Sequence, residues 1–146
     1  MTHGILVAHS LFRWLVLLAG VLALVRVLSG AFRPRPWNPA DRRATSAFTI
    51  TLDAQLLIGL ALYVTSPITT AARLDMATVM HTRGIRYFVI EHPVIMLMAV
   101  FLAHAGSVAV RRATSDRQKF LRAAGFFSAS LVLLLYGIPW SRLVTA

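Results

Sequence analysis

The stretch Tyr87 to Val110, YFVIEHPVIMLMAVFLAHAGSVAV, constrains this chain more than any other. About 20 apolar residues at 1.5 Å per residue match the hydrocarbon thickness of a bilayer, so the segment is long enough to cross one. It also carries Glu91, His92 and His104, which hydrocarbon does not solvate. Ionisable groups inside a span cost several kcal/mol and usually face a bundle interior, a cavity or a partner group. The chemistry of the chain is therefore expected to pass through this helix.

Three more runs of spanning length surround it. Of the 146 residues, 58% are hydrophobic, which is too apolar for a soluble domain of this size. Expected spans run from about Ile5 to Val27, Ala44 to Val64, Tyr87 to Val110 and Leu121 to Ile138. The short connectors predict a single all-α membrane domain, a four-helix up-down-up-down bundle. The longest connection, Thr65 to Arg86, is expected to hold one short surface helix over Ala71 to Met80. The opening MTHG lacks a basic n-region, so the first run reads as a retained span rather than a leader.

The net charge of +10 would point to nucleic acid in a soluble protein. Here the cations sit between spans, so topology accounts for them and no nucleic-acid partner is expected. Arg26, Arg33, Arg35, Arg42 and Arg43 flank connector one, and Arg111, Arg112, Arg117, Lys119 and Arg122 flank connector three. The middle loop has Arg73, Arg83 and Arg86 offset by Asp75 and Glu91, and the tail has Arg142. The bias predicts cytoplasmic connectors one and three, with both termini on the outer side of a bacterial inner membrane. Trp37 and Trp140 fit interfacial anchors, and Arg26 is expected to snorkel. There is no cysteine, which excludes disulfides and thiolate metal sites.

Topology converts position into depth. His9 is about one turn into span one from the outer face, and His92 about one and a half turns into span three from the same face. A b-type haem needs two such imidazoles, one on each side of the porphyrin. Arg13, one turn beyond His9 on the same helical face, would pair with a haem propionate, with Glu91 or with Asp53. An Arg13–Asp53 pair is the structural expectation, with Gln55 as an added hydrogen-bonding group nearer the cytoplasmic side. His104 lies roughly 18 Å deeper than His92 and has no histidine at its depth, so it is expected near the cytoplasmic interface and unligated. His3 and His81 are expected at the surface, and Met80, Met96 and Met98 as ordinary lipid-facing or core residues. Ala105 with Ala109, and Gly125 with Ala129, would permit close helix contact. Pro93 leaves two possibilities: a kinked helix from Tyr87, or a span that begins at Pro93 and leaves His92 interfacial.

As a set, His9-Ser10-x-x-Arg13-Trp14, Gln55-Leu56-Leu57-x-Gly59-Leu60-x-x-Tyr63, Glu91-His92 and Ile138-Pro139-Trp140 resemble a family of small bacterial four-span membrane proteins described as cytochrome b-like. The resemblance covers nearly the whole chain. It implies a polar set of His9, Arg13, Glu91 and His92, a haem b, and electron transfer with a quinone or a periplasmic partner. Some members carry histidine where this chain has Asp53, so a ligand from span two is not expected here. Two further expectations stand beside it. One is a cofactor-free accessory subunit of a larger respiratory or photosynthetic complex, or a homo-oligomer. The other is proton or ion translocation through Arg13, Asp53, Glu91 and His92. No phosphate-binding glycine loop, HExxH or GxSxG occurs, and whether the chain is an enzyme stays open.

Overall fold

The computed structural model describes residues 2–140; Arg142 of the topology count lies outside them. Helix α1 covers Thr2–Phe32 and α2 covers Pro39–Thr65. Two short helices follow, α3 (Pro67–Leu74) and α4 (Met76–His81), then a single turn α5 (Arg83–Arg86). A π-helical turn over Tyr87–Glu91 leads into α6 (His92–Arg111), and α7 covers Asp116–Gly137. No strand occurs among the described residues. Four helical stretches, α1, α2, Arg83–Arg111 and α7, are long and apolar enough to cross a membrane, as in a multi-pass membrane protein.

The long helices form a closed ring of antiparallel neighbours. Thr2 Oγ1 meets the Thr65 carbonyl while Arg26 meets Asp41, which sets α1 against α2. Asp53 with His104 sets α2 against α6, and Ser130 with the Ala99 carbonyl sets α6 against α7. Phe120 under Gly30 and Leu131 under Gly20 return α7 to α1. This is an up-down-up-down bundle, with α1 and α6 on one diagonal and α2 and α7 on the other. Large apolar side chains such as Leu11, Leu18, Val25, Leu57, Leu60, Leu97 and Phe101 point outward, and alanines with a few valines, leucines and phenylalanines fill the centre. That inversion suits hydrocarbon outside, where close backbone approach rather than water expulsion drives helix contact.

Phe48 of α2 and Phe127 of α7 cross the ring edge to face, with centroids 5.8 Å apart. A Cβ at Gly20 would come within 3.0 Å of the Phe48 ring, so the missing side chain makes the room. At Gly30 any side chain would collide with the Phe120 ring. The expected small-residue contact at Gly125 is not used, since nothing approaches a Cβ there; Gly106 instead receives Phe126.

Connector one is locked from within. Asn38 caps α2, Pro39 takes the first helical position, and Asp41 completes a capping box. The Asp41 side chain is fully buried, with Arg35 bound to both of its oxygens at 2.5 and 2.8 Å and Arg26 Nε at 3.1 Å. Donation to Asp41 raises the pKa of Arg35 above its ordinary value. Arg26 is thus paired rather than simply snorkelling. Trp37 lies on Phe120 with centroids 4.8 Å apart and packs, partly buried, against the edge of the core.

The middle connection holds two short helices rather than one. Asp75 ends α3 and caps α4, accepting from the Thr78 hydroxyl and backbone N–H, which hold its carboxyl below the usual range. Ala72 and Val79 pack with Val89 of the π turn in a small separate core.

Asp41→Ala removes a cap and leaves two guanidinium groups without their anion. We expect a loss of about 2–4 kcal/mol in detergent unfolding. Arg33→Ala, on an exposed residue, should stay within about 0.5 kcal/mol.

Candidate functional site

The end of the bundle where α1 begins and α7 ends gathers most of the polar side chains singled out above. Its geometry begins with Pro93. Proline has no N–H, so the carbonyl of Val89, four residues earlier, loses its helical donor. The chain widens instead of breaking: the His92 N–H reaches back five residues to the Tyr87 carbonyl, which is a π turn. The Tyr63 hydroxyl on α2 donates to the orphaned Val89 carbonyl at 3.1 Å. Thus the helix does not start at Pro93. It runs on from Arg83 to Arg111 with an extra residue in one turn, and His92 stays inside the helix.

The wide turn aims His92 across the bundle. His92 Nδ1 lies 2.7 Å from the Gly137 carbonyl, and the Tyr87 hydroxyl donates to the same oxygen at 2.7 Å. Gly137 ends α7, so its carbonyl has no donor within the helix. A carbonyl only accepts, so Nδ1 of His92 carries the proton and Nε2 keeps a lone pair. At Gly137 a side chain would run into Met96 and Ile95 of α6, so glycine permits this close approach.

His9 comes from the diagonal helix α1. Its ring centroid is 6.3 Å from that of His92, with the planes at 79°. The matched depth expected for the two histidines therefore holds. Gln55 of α2 donates through Nε2 to the His9 carbonyl at 2.9 Å, and the same atom lies 3.4 Å from His9 Nε2. This corrects the expected depth of Gln55: α2 runs opposite to α1, so two residues past Asp53 is toward the terminal end. Gly59, one turn further, leaves room for the ring, since a Cβ there would sit 3.0 Å from His9 Cε1.

Three buried polar atoms here have no protein partner: His9 Nδ1, Arg13 Nε and Gln55 Oε1. Each such atom costs about 1–3 kcal/mol unless something outside the chain meets it. The expected Arg13–Asp53 pair does not form; the Arg13 Cζ lies 5.5 Å from the Trp14 ring centroid. Glu91 also stands apart from Arg13 and pairs with Arg86 at 2.8 Å. Asp53 bonds His104 Nε2 at 2.7 Å, with both side chains about half exposed on the outside of the bundle. His104 thus has a partner that no sequence signal indicated. The polar set divides into a terminal group of His9, Arg13, Gln55 and His92, a surface pair Arg86–Glu91, and a mid-span pair Asp53–His104.

Beside His92 lies a cleft of about 560 Å³, walled by Tyr87, Phe88, Tyr136 and Trp140 with Glu91 and Arg83 at its polar edge. Tyr87 links the cleft to His92 through their shared carbonyl. Among the described residues no three His, Asp or Glu side chains gather as a protein-only metal site requires. No family model, curated protein or solved structure matches the chain.

Two substitutions test these contacts. Tyr63→Phe should cost about 0.5–2 kcal/mol by orphaning the Val89 carbonyl, and much less in a Pro93→Ala background, where an N–H returns. His104→Leu should destabilise more than the double change Asp53→Leu with His104→Leu, because it leaves a lone carboxyl at membrane depth. Unfolding midpoints in one detergent decide both.

Proposed function

We propose that this chain is a small b-type cytochrome of a bacterial inner membrane, with one haem b held by His9 and His92 and electrons exchanged with a quinone or a periplasmic protein. The observation that carries the reading is the meeting of two imidazoles from diagonal helices, one of them with its tautomer fixed. His9 and His92, with ring centroids 6.3 Å apart, would hold the group, each presenting a neutral imidazole nitrogen to its iron. A porphyrin brings four nitrogens of its own, so two histidines complete the donor set, and no third protein ligand is needed.

The orphaned atoms fit the same group. His9 offers an unpartnered Nδ1, and Arg13 offers a buried Nε–H suited to a propionate oxygen. A bound haem would supply a one-electron carrier. The chain's own residues do the rest. The Gly137 carbonyl holds the His92 ring and raises its basicity as a ligand, Gln55 steadies the His9 backbone, and Gly59 keeps space beside His9. The aromatic cleft at Tyr87, Phe88, Tyr136 and Trp140 suits the flat ring of a quinone. The excess of arginine at connectors one and three supports a cytoplasmic placement for that end, and therefore a periplasmic one for the histidines.

The test is a visible spectrum of the mildly solubilised protein from haem-replete cells, oxidised and then reduced with dithionite. A sharp reduced α-band is expected, lost in His9→Ala and in His92→Ala and retained in Asp53→Asn. A flat spectrum at stoichiometric protein concentration would overturn the reading.

A further inference from the structure

A second groove of about 560 Å³ lies at the opposite end of the bundle, outside the site described above. Its floor is one face of α6, where Phe101, Ala105, Val108 and Ala109 recur at helical spacing, with Arg112 capping that helix at its C-terminal end and Arg122 of α7 forming the far wall. His104 stands at its inner end, with Nε2 held by Asp53. Ala105 and Ala109 leave the depression that larger side chains would fill.

Among the described residues the charge at its mouth has no carboxylate counter-ion. The chain has five acidic residues. Asp41 is taken by Arg26 and Arg35, Asp53 by His104, Asp75 by Thr78, Glu91 by Arg86 and Asp116 by Lys119. Arg122 uses Nη1 on the Ala109 carbonyl at 2.9 Å, which fixes its guanidinium over the groove without neutralising it. Arg112 and Arg122 thus present two cations at the polar edge of an apolar channel.

We propose that this groove binds one anionic phospholipid, its phosphate on Arg112 and Arg122 and an acyl chain along Ala109, Ala105 and Phe101. Length supports the assignment. Arg112 to Phe101 is eleven residues, about 16 Å along the helix, close to the roughly 15 Å depth of one leaflet's hydrocarbon. Basic pockets between spans recognise such headgroups, each arginine near the surface contributing about a five-fold preference. The proposal does not depend on haem.

Native mass spectrometry of the full chain, incubated with equal phosphatidylglycerol and phosphatidylcholine in mild detergent, reads occupancy directly. The wild type should retain one phosphatidylglycerol in preference. Arg112→Gln should lower that retention about five-fold, whereas Arg111→Gln, next to the groove but not lining it, should leave it unchanged. Ala109→Phe keeps the charge and fills the channel, and should lower retention of both lipids. Excess inorganic phosphate should not compete. Equal retention of the two lipids, equal effects of Arg111→Gln and Arg112→Gln, or displacement by phosphate would each overturn the proposal. Circular dichroism confirms folding of each variant, and either groove variant alone decides the outcome.

Discussion

A missing hydrogen decides the shape of the terminal end. Pro93 cannot donate to the Val89 carbonyl, and inside a span no water is present to replace that donor. The π turn and the Tyr63 hydroxyl together resolve the deficit. The extra residue in that turn also sets the direction of His92, which meets the free carbonyl at the end of α7. One local backbone constraint therefore ties three helices together and aims an imidazole at its partner on the fourth.

The two ends of the bundle solve different problems. At connector one a buried carboxylate organises two arginines, a helix cap and an aromatic stack, and its hydrogen-bonding capacity is used within the chain. At the terminal end the histidines, Arg13 and Gln55 are brought together but left with three unmet polar atoms. A structural polar cluster closes on itself, as the first does. The second does not: of its side chains only His92 has its protein-side hydrogen bond, and His9, Arg13 and Gln55 each keep one unpartnered buried atom. The aromatic layer of Phe48 and Phe127 separates the two.

Much of this was legible in the sequence because depth follows from counting. Antiparallel spans and a rise of 1.5 Å per residue place His9 and His92 at one level without knowledge of any side-chain rotamer. Azimuth was not legible. Asp53 and Arg13 are close in depth, yet Asp53 faces α6, where His104 is the group within reach. Gln55 lies nearer the terminal end than Asp53 because α2 runs antiparallel to α1. Trp37 and Arg26 read as interfacial by residue type, which does not reveal their particular partners, Phe120 and Asp41. Pro93 left two helical starts open because the sequence does not reveal Tyr63 waiting across the interface.

The central claim is that His9 and His92 ligate one iron together. Electron paramagnetic resonance of the oxidised, purified protein tests it most directly, since two imidazole nitrogens on a ferric haem give a low-spin signal. The account predicts one low-spin centre per chain, turning high-spin when either histidine alone is replaced by alanine. A high-spin signal in the wild type, or a low-spin signal that survives either replacement, would contradict it.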